Sequence, residues 1–368
     1  MKNLKSKEEF TQFVNKFTQE NEMPFLFGIY RVYRDSANQI IAVKYLTLNK
    51  DRNMGTASVL MDVLGVKLNE KTCSFHRLFP DKIEEALSYF SWIGTEEKGH
   101  ENLKVLRDCT NENIEIGVIF YPREESLIKI IVDSIPDAHC RLALISNLDY
   151  KPNVQNLDGL FNVLPNLHWT DDVPYTREDY LSMKLSRPFI QLVDKIPLLT
   201  WAWHIPESVR VANTTVVRLG AHLAPGTTVM HYAFVNFNAG TVGKSMIEGR
   251  MSAGTIIGEG SDVGAGAGFL GTLSGGNDIK LSVGKNCLVS ANAECGVILG
   301  DNCVIAVGTS FSQTTPIWEV VEGKDSVLRK VDYFNGKNDL TFWTNSKTGL
   351  LEVLHRGYKA ELNEDLHV

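Results

Sequence analysis

The chain has 368 residues, of which 43% are hydrophobic and 22% charged, with a formal net charge of −7. This is enough apolar material for a sizeable core spread over two or three domains, and it excludes intrinsic disorder. No basic excess favours nucleic acid or an anionic membrane, and no run approaches the roughly 18 apolar residues that cross a bilayer.

The N-terminus, MKNLKSKEEF, lacks the apolar stretch of a secretory signal. Six cysteines (Cys73, Cys109, Cys140, Cys287, Cys295 and Cys303) form no CxxC pair, so reduced thiols in the cytoplasm are expected.

Residues 1 to about 200 read as a mixed α/β domain. Ser6 and Glu9 fit a capping box, followed by Phe10, Phe13, Val14 and Phe17 at one-face helical spacing. FLFGIYRVYR (25–34) and IIAVKYLTL (40–48) flank the turn-prone DSAN, which predicts a hairpin. Two more strands are expected at Ile114 to Tyr121 and Ser126 to Val132, and helices near 82–92, 137–146 and 175–185. No phosphate-cradling glycine loop and no nucleophile elbow occurs here.

From about 201 to 312 the character changes. Between Thr215 and Ser312 lie 18 of the 29 glycines but only 11 charged residues. A period of six runs through Val217, Leu223, Val229, Val235, Thr241 and Ile247. It shifts and resumes at Ile257, Val263 and Phe269, then at Val283, Val289 and Cys295, then at Leu299, Ile305 and Phe311. Hexapeptide periodicity is a signature of the parallel β-helix, a coil with three flat faces. The aliphatic residue of each hexapeptide points inward, and small residues take the corners, where φ can be positive. Each coil is buried only by its neighbours, so the ends need covers. The preceding α/β domain and the segment after Ser312 are expected to supply them. The stretch LGTLSGGNDIKLS (270–282) interrupts the period, and such insertions become loops on one face.

After Ser312 the repeat stops. Ile317–Val321, Thr341–Thr344 and Leu350–His355 alternate like strands, with turn signals at Asn335-Gly336 and Lys347-Thr348-Gly349. Residues 313–368 therefore read as a short C-terminal β segment ending in a polar tail.

The repeat carries more than a period. RLGAHLAPGTTVMH (218–231), FVNFNAGTVGKSMIEGRMSAG (234–254), GEGSDVGAGAGFLGTLSGG (258–276) and SVGKNCLVSANAECGVILGDNCVIAVG (282–308) resemble the tetrahydrodipicolinate N-succinyltransferases of lysine and diaminopimelate biosynthesis. The resemblance is to the subgroup of actinobacteria and some pseudomonads. It returns in TNSKTGLLEVL (344–354) and LNEDLH (362–367), and it covers about 40% of the chain, from Val209 onward. The first 200 residues look only loosely related. The resemblance implies a homotrimer of left-handed parallel β-helices, with succinyl-CoA bound between subunits. It implies succinyl transfer to the amine of tetrahydrodipicolinate in its ring-opened form, L-2-amino-6-oxopimelate.

Candidate residues follow from this resemblance. Glu248, in MIEGR, matches the family's proposed catalytic glutamate. A carboxylate there can act as base for the ammonium of the acceptor or, through an acyl anhydride, as nucleophile. Arg250 suits a substrate carboxylate, with an ion pair to Glu248 as the plain structural alternative. Gly271 matches the residue whose amide faces the thioester oxyanion. Ala265, Gly268 and Ala291 match positions lining the CoA channel, although relatives commonly have glycine at 265 and serine at 268. Asn345 and Ser346 match a cofactor-contacting NS motif. The two residues before it, often basic in relatives, are Trp343 and Thr344 here, so the nucleotide phosphates are expected to be held differently, with Arg329 and Lys330 as candidates. Relatives can carry magnesium on an Asp and a Glu. Those positions are Thr215 and Tyr232 here, so no magnesium is expected. His222 and His231 lack the third histidine of a β-helical zinc site. An acetyl-CoA-dependent relative and a non-catalytic β-helical scaffold remain the alternatives.

Overall fold

The computed structural model describes residues 3–68, 72–93, 100–112, 114–124, 131–147, 157–183, 186–270 and 280–355. Two compact units emerge: residues 1–144 with 155–195, and residues 145–154 with 196–368.

The first unit is built on a four-stranded antiparallel sheet in the order β2-β1-β4-β3. Its strands are β1 (Leu26–Arg34), β2 (Ile40–Lys50), β3 (Ser74–Leu78) and β4 (Ile116–Tyr121). The expected hairpin is β1–β2, paired from Leu26↔Lys50 to Arg34↔Ile40. Helix α1 (Lys7–Glu20) begins at the expected cap: Ser6 Oγ accepts the Glu9 N–H, and Glu9 reaches back to the Lys5 N–H. Phe10, Phe13 and Phe17 on its apolar stripe pack against a core formed by Phe27, Ile29, Val118 and Phe120 of the sheet. Helices α2 (Met54–Leu64), α3 (Pro80–Ser88) and α4 (Glu101–Asn111) complete that core. The sequence reading missed α2 because MGTASVLMDVL is apolar nearly all round and so shows no stripe. The strand expected at Ser126 to Val132 lies mostly outside the described residues.

Tyr45, on the opposite face of the sheet, donates to the Pro136 carbonyl of helix α5 (Ile135–Asn147). Within α5, Asp137 and Arg141 form a bidentate pair one turn apart (2.8 and 3.0 Å), and Tyr121 of β4 donates to the same carboxylate. All three side chains are essentially buried.

The second unit is a parallel β-helix with three faces. The first face stacks Phe234–Val235, Arg250–Met251, Gly268–Phe269, Glu294–Cys295 and Ser310–Phe311. The second stacks Gly240–Thr241, Ile256–Ile257 and Ser282–Val283. The third runs from Arg210–Val211 through Thr228–Val229, Met246–Ile247, Asp262–Val263, Leu288–Val289 and Val304–Ile305 to Thr341–Thr344. All the residues of the six-residue period point inward and are buried, as expected. Thr241, the one polar member of its run, is satisfied by the Ala224 N–H and by Thr227 Oγ1 at 2.6 Å. At one corner column the turning residue is left-handed in three coils, Gly266, Asn292 and Gly308, which explains the small residues there.

The ends are covered within this unit. Before the first coil, the Leu199 N–H donates to the Val217 carbonyl and the Leu219 N–H to the Pro197 carbonyl. After the last coil, Phe342 packs on Phe311, and Phe334 packs edge-on to Phe342. The segment from 313, set apart on sequence, is thus continuous with the β-helix: Thr341↔Val304 and Phe342↔Ile305 extend the third face.

Asp137→Ala should destabilise the first unit by about 3–5 kcal/mol, because Arg141 would lose its bidentate carboxylate in a buried setting. Urea unfolding read by near-UV signals checks this, and a loss under about 1 kcal/mol would show that the pair is dispensable.

Candidate active site

Four of the corners joining the third face to the first span six residues between inward positions: Val229 to Val235, Val263 to Phe269, Val289 to Cys295 and Ile305 to Phe311. The corner from Ile247 to Met251 spans four, and it consists of Glu248 and Gly249. The register shift in the sequence is therefore a shortened corner, recessed between its fuller neighbours. It closes only because position 249 is glycine. A Cβ there would lie 2.4 Å from the Ala267 carbonyl oxygen and 2.8 Å from Val263 Cγ1. The Glu248 N–H donates to the Val263 carbonyl at 2.7 Å, which fixes the backbone. Its half-buried carboxylate therefore sits in a notch, with His231 and Tyr232 on the preceding corner and residues 264–267 on the following one.

The first face adjoins that notch. Arg250, Gly268 and Glu294 occupy successive outward positions on it. Arg250 Nη2 reaches over Gly268 to Glu294 Oε1 at 2.6 Å. The ion pair considered on sequence, Arg250 with Glu248, is not the one formed. Along the same corner column, Ala265 and Ala291 lie in the next two coils, and the Asn292 N–H donates to the Ala265 carbonyl. Ala265 keeps a negative φ and Gly266 takes the left-handed position, so the extra methyl at 265 causes no backbone strain. The fold thus brings Glu248, Arg250, Ala265, Gly268 and Ala291 to one edge over three consecutive coils.

Asn345 and Ser346 begin the turn between Thr341–Thr344 and Leu351–Leu354. That turn leaves the third face four strands beyond Met246–Ile247, about 19 Å at the usual spacing. Asn345 builds the turn itself: its amide donates to Glu352 (2.9 Å) and its carbonyl oxygen accepts the Lys347 N–H (3.0 Å). Ser346 is exposed. Arg329 is engaged by Glu319 and stacks 4.2 Å from the Tyr333 ring centroid, whereas Lys330 is exposed. Gly271 lies outside the described residues.

Sequence reasoning missed Asp262. It stands outward on the third face between Met246 and Leu288, and its Oδ1 is buried without a hydrogen-bond partner. Burial, and then the Glu248 charge, push its carboxyl up to about 6. A lone carboxylate between two apolar outward residues was the available signal, but it needs the coil register to be seen.

The magnesium positions do not fit a hard cation. The Thr215 hydroxyl lies 2.7 Å from Asn213 Oδ1, and Tyr232 is 90% exposed with only a phenol to offer. His222 Nδ1 is bound at the Ile145 carbonyl (3.1 Å), and the His231 ring packs edge-on to Tyr232.

Because Asp262 binds its proton more tightly folded than unfolded, stability should fall as pH rises from about 4 to about 6 and then level off. Asp262→Asn should therefore stabilise the protein at pH 7.5, by about 1 kcal/mol after allowing for solvent screening, and have no such effect at pH 4. Urea unfolding at both pH values checks this. An equal effect at both would contradict the titration.

Comparison with known proteins extends the similarity to the whole chain. The family described as "Tetrahydrodipicolinate N-succinyltransferase N-terminal" matches residues 8–162, and "Hexapeptide repeat of succinyl-transferase" matches residues 280–310. The 2,3,4,5-tetrahydropyridine-2,6-dicarboxylate N-succinyltransferase of Campylobacter jejuni is 34% identical over 99% of this chain and 100% of its own length. The enzyme of the same name from Vibrio cholerae is 41% identical over 64% of this chain and 70% of its own. A C. jejuni crystal structure, described as a putative 2,3,4,5-tetrahydropyridine-2-carboxylate N-succinyltransferase, superposes with a TM-score of 0.86 at 31% identity, covering 100% of both chains. The first 200 residues, whose motifs resemble the family only loosely, are thus part of the same relationship. With its left-handed parallel β-helix and a matching N-terminal unit, the chain belongs to the tetrahydrodipicolinate N-succinyltransferase family, whose members are acyltransferases.

Proposed function

We propose that this enzyme transfers the succinyl group of succinyl-CoA to the amine of L-2-amino-6-oxopimelate, giving N-succinyl-2-amino-6-oxopimelate and CoA. The observation that carries the site assignment is the recessed Glu248–Gly249 corner. It sets one carboxylate in a notch beside a face whose Arg250 is exposed for a ligand carboxylate.

The chemistry follows from that placement. Glu248 takes a proton from the acceptor ammonium, freeing the nitrogen lone pair. The nitrogen attacks the thioester carbonyl, and a C–N bond forms as the carbonyl π pair moves to oxygen. The resemblance assigns the Gly271 amide to that oxyanion. Collapse breaks the C–S bond, the thiolate leaves as CoA, and the protons lost by nitrogen pass to sulfur and solvent. Arg250, with most of its fork open to solvent, offers N–H groups to the free succinyl carboxylate. Ala265, Gly268 and Ala291 leave the edge low enough for an extended pantetheine arm, and Asn345–Ser346 lie farther along the same direction for the nucleotide end.

This reading includes a homotrimer with sites between subunits, a cytoplasmic location and no magnesium at Thr215 and Tyr232. It takes support from the family, from donor sets without carboxylates, and from the absence among the described residues of any helix long and apolar enough to cross a membrane.

Glu248→Gln should leave the fold intact and lower kcat by about 10²–10⁴-fold. Thiol release with succinyl-CoA and acceptor checks this, and near-wild-type turnover would remove Glu248 from the chemistry. The same assay with acetyl-CoA should give the lower kcat/KM; the reverse would assign the acetyl donor instead. EDTA should not inhibit, and a loss of activity restored by magnesium would overturn the metal reading.

A further inference from the structure

The outward residues of the first face form one ladder: Phe234, Arg250, Gly268, Glu294 and Ser310. Its two charged members flank the position that has no side chain. Two strand spacings separate Arg250 from Glu294, about 9.5 Å at the backbone. The arginine spans that gap by lying over Gly268 and closes to 2.6 Å on Glu294 Oε1. A Cβ at 268 would stand 2.7 Å from Glu294 Oε2 and 3.0 Å from Arg250 Nη2. Both atoms are the ends of flexible side chains, so the bridge in this geometry occupies the space that glycine leaves open and would have to shift to admit a Cβ.

Sequence proximity favours a different partner. Glu248 precedes Arg250 by two residues across the shortened corner. A guanidinium resting on that carboxylate would stabilise its charge and weaken it as a base. Among the described residues, the other titratable groups on the neighbouring coils at Glu248 are Asp262 in the next coil, whose charge acts in the opposite sense, and His231 and Tyr232 on the preceding corner. Gly268 and Ser310, the ladder neighbours of Glu294, carry no charge.

We propose that Glu294 is a positioning residue, drawing the Arg250 guanidinium over Gly268 and away from Glu248 so that this carboxylate stays free to accept the ammonium proton. The proposal rests on the reading of Glu248 as the base. It assigns Gly268 a second role beside the cofactor channel, as the gap through which the bridge passes.

The test is the pH profile of kcat/KM for the full chain with succinyl-CoA and acceptor. It compares wild type, Glu294→Gln, Gly268→Ala and the double variant Arg250→Gln/Glu294→Gln. Freed from Glu294, Arg250 should turn to Glu248 and move the acid limb to lower pH by about one unit, with a several-fold fall in kcat. Gly268→Ala keeps both charges but obstructs the path, so its limb should move the same way. In the double variant the limb should return to the wild-type position. A purely structural role for Glu294 would change activity without moving the limb. The proposal is overturned if the limb stays put in both single variants, or if the double variant fails to restore it, while Glu248→Gln is inactive. Substantial activity in Glu248→Gln would instead overturn the base assignment, and the positioning role with it.

Discussion

Everything in the second unit depends on coils remaining in register at strand spacing. Each inward side chain is buried by the one above and the one below, so Ile247 depends on Val229 and Val263, and Val263 on Val289. This makes stability a sum of neighbour interfaces, and it makes the inner column intolerant of charge. The corners are under no such demand, because they face out. Variation in corner length is therefore the one freedom the architecture leaves, and the candidate site uses it. At Glu248–Gly249 a corner is shortened.

A carboxylate used as a base has to be held without being neutralised. The β-helix meets this by geometry rather than by burial. The corner backbone is locked by the Glu248 N–H to Val263 bond and by the close approach of Gly249 to Ala267. The Arg250 guanidinium, two residues away along the chain, pairs along the face with Glu294. The Asp262 carboxylate, raised by burial, adds a like charge nearby. The first unit handles charge in the opposite way. Asp137, Arg141 and Tyr121 are buried together and satisfy one another, an arrangement suited to fixing a helix on a sheet rather than to exchanging protons.

Much of this was legible in the chain. The period of six located most of the inward residues, because flat stacked faces impose a strict spacing, but it passed over Met251, which follows the shortened corner. The EGRMSAG string pointed to Glu248 and Arg250. The first unit was less legible. Its hairpin and capped first helix carried local signals, whereas α2 and α4 went unread: α2 is apolar nearly all round, and α4 does carry a stripe, in Leu103, Leu106 and Cys109, that was available in the sequence. Asp262 and Glu294 stayed hidden for another reason. Each matters through a residue at least 14 positions away, and only the coil register makes them neighbours.

The sequence by itself determined the solenoid, its corners and the identity of the acidic residue at the shortened one, because all of these are set by local spacing and by which residues tolerate a tight turn. The partner of Arg250 was decided only by the tertiary structure. Counting along the chain points to Glu248, two residues away. Stacking instead places Glu294 within reach across a glycine, and the guanidinium follows the stack because the face gives it a clear path to that carboxylate.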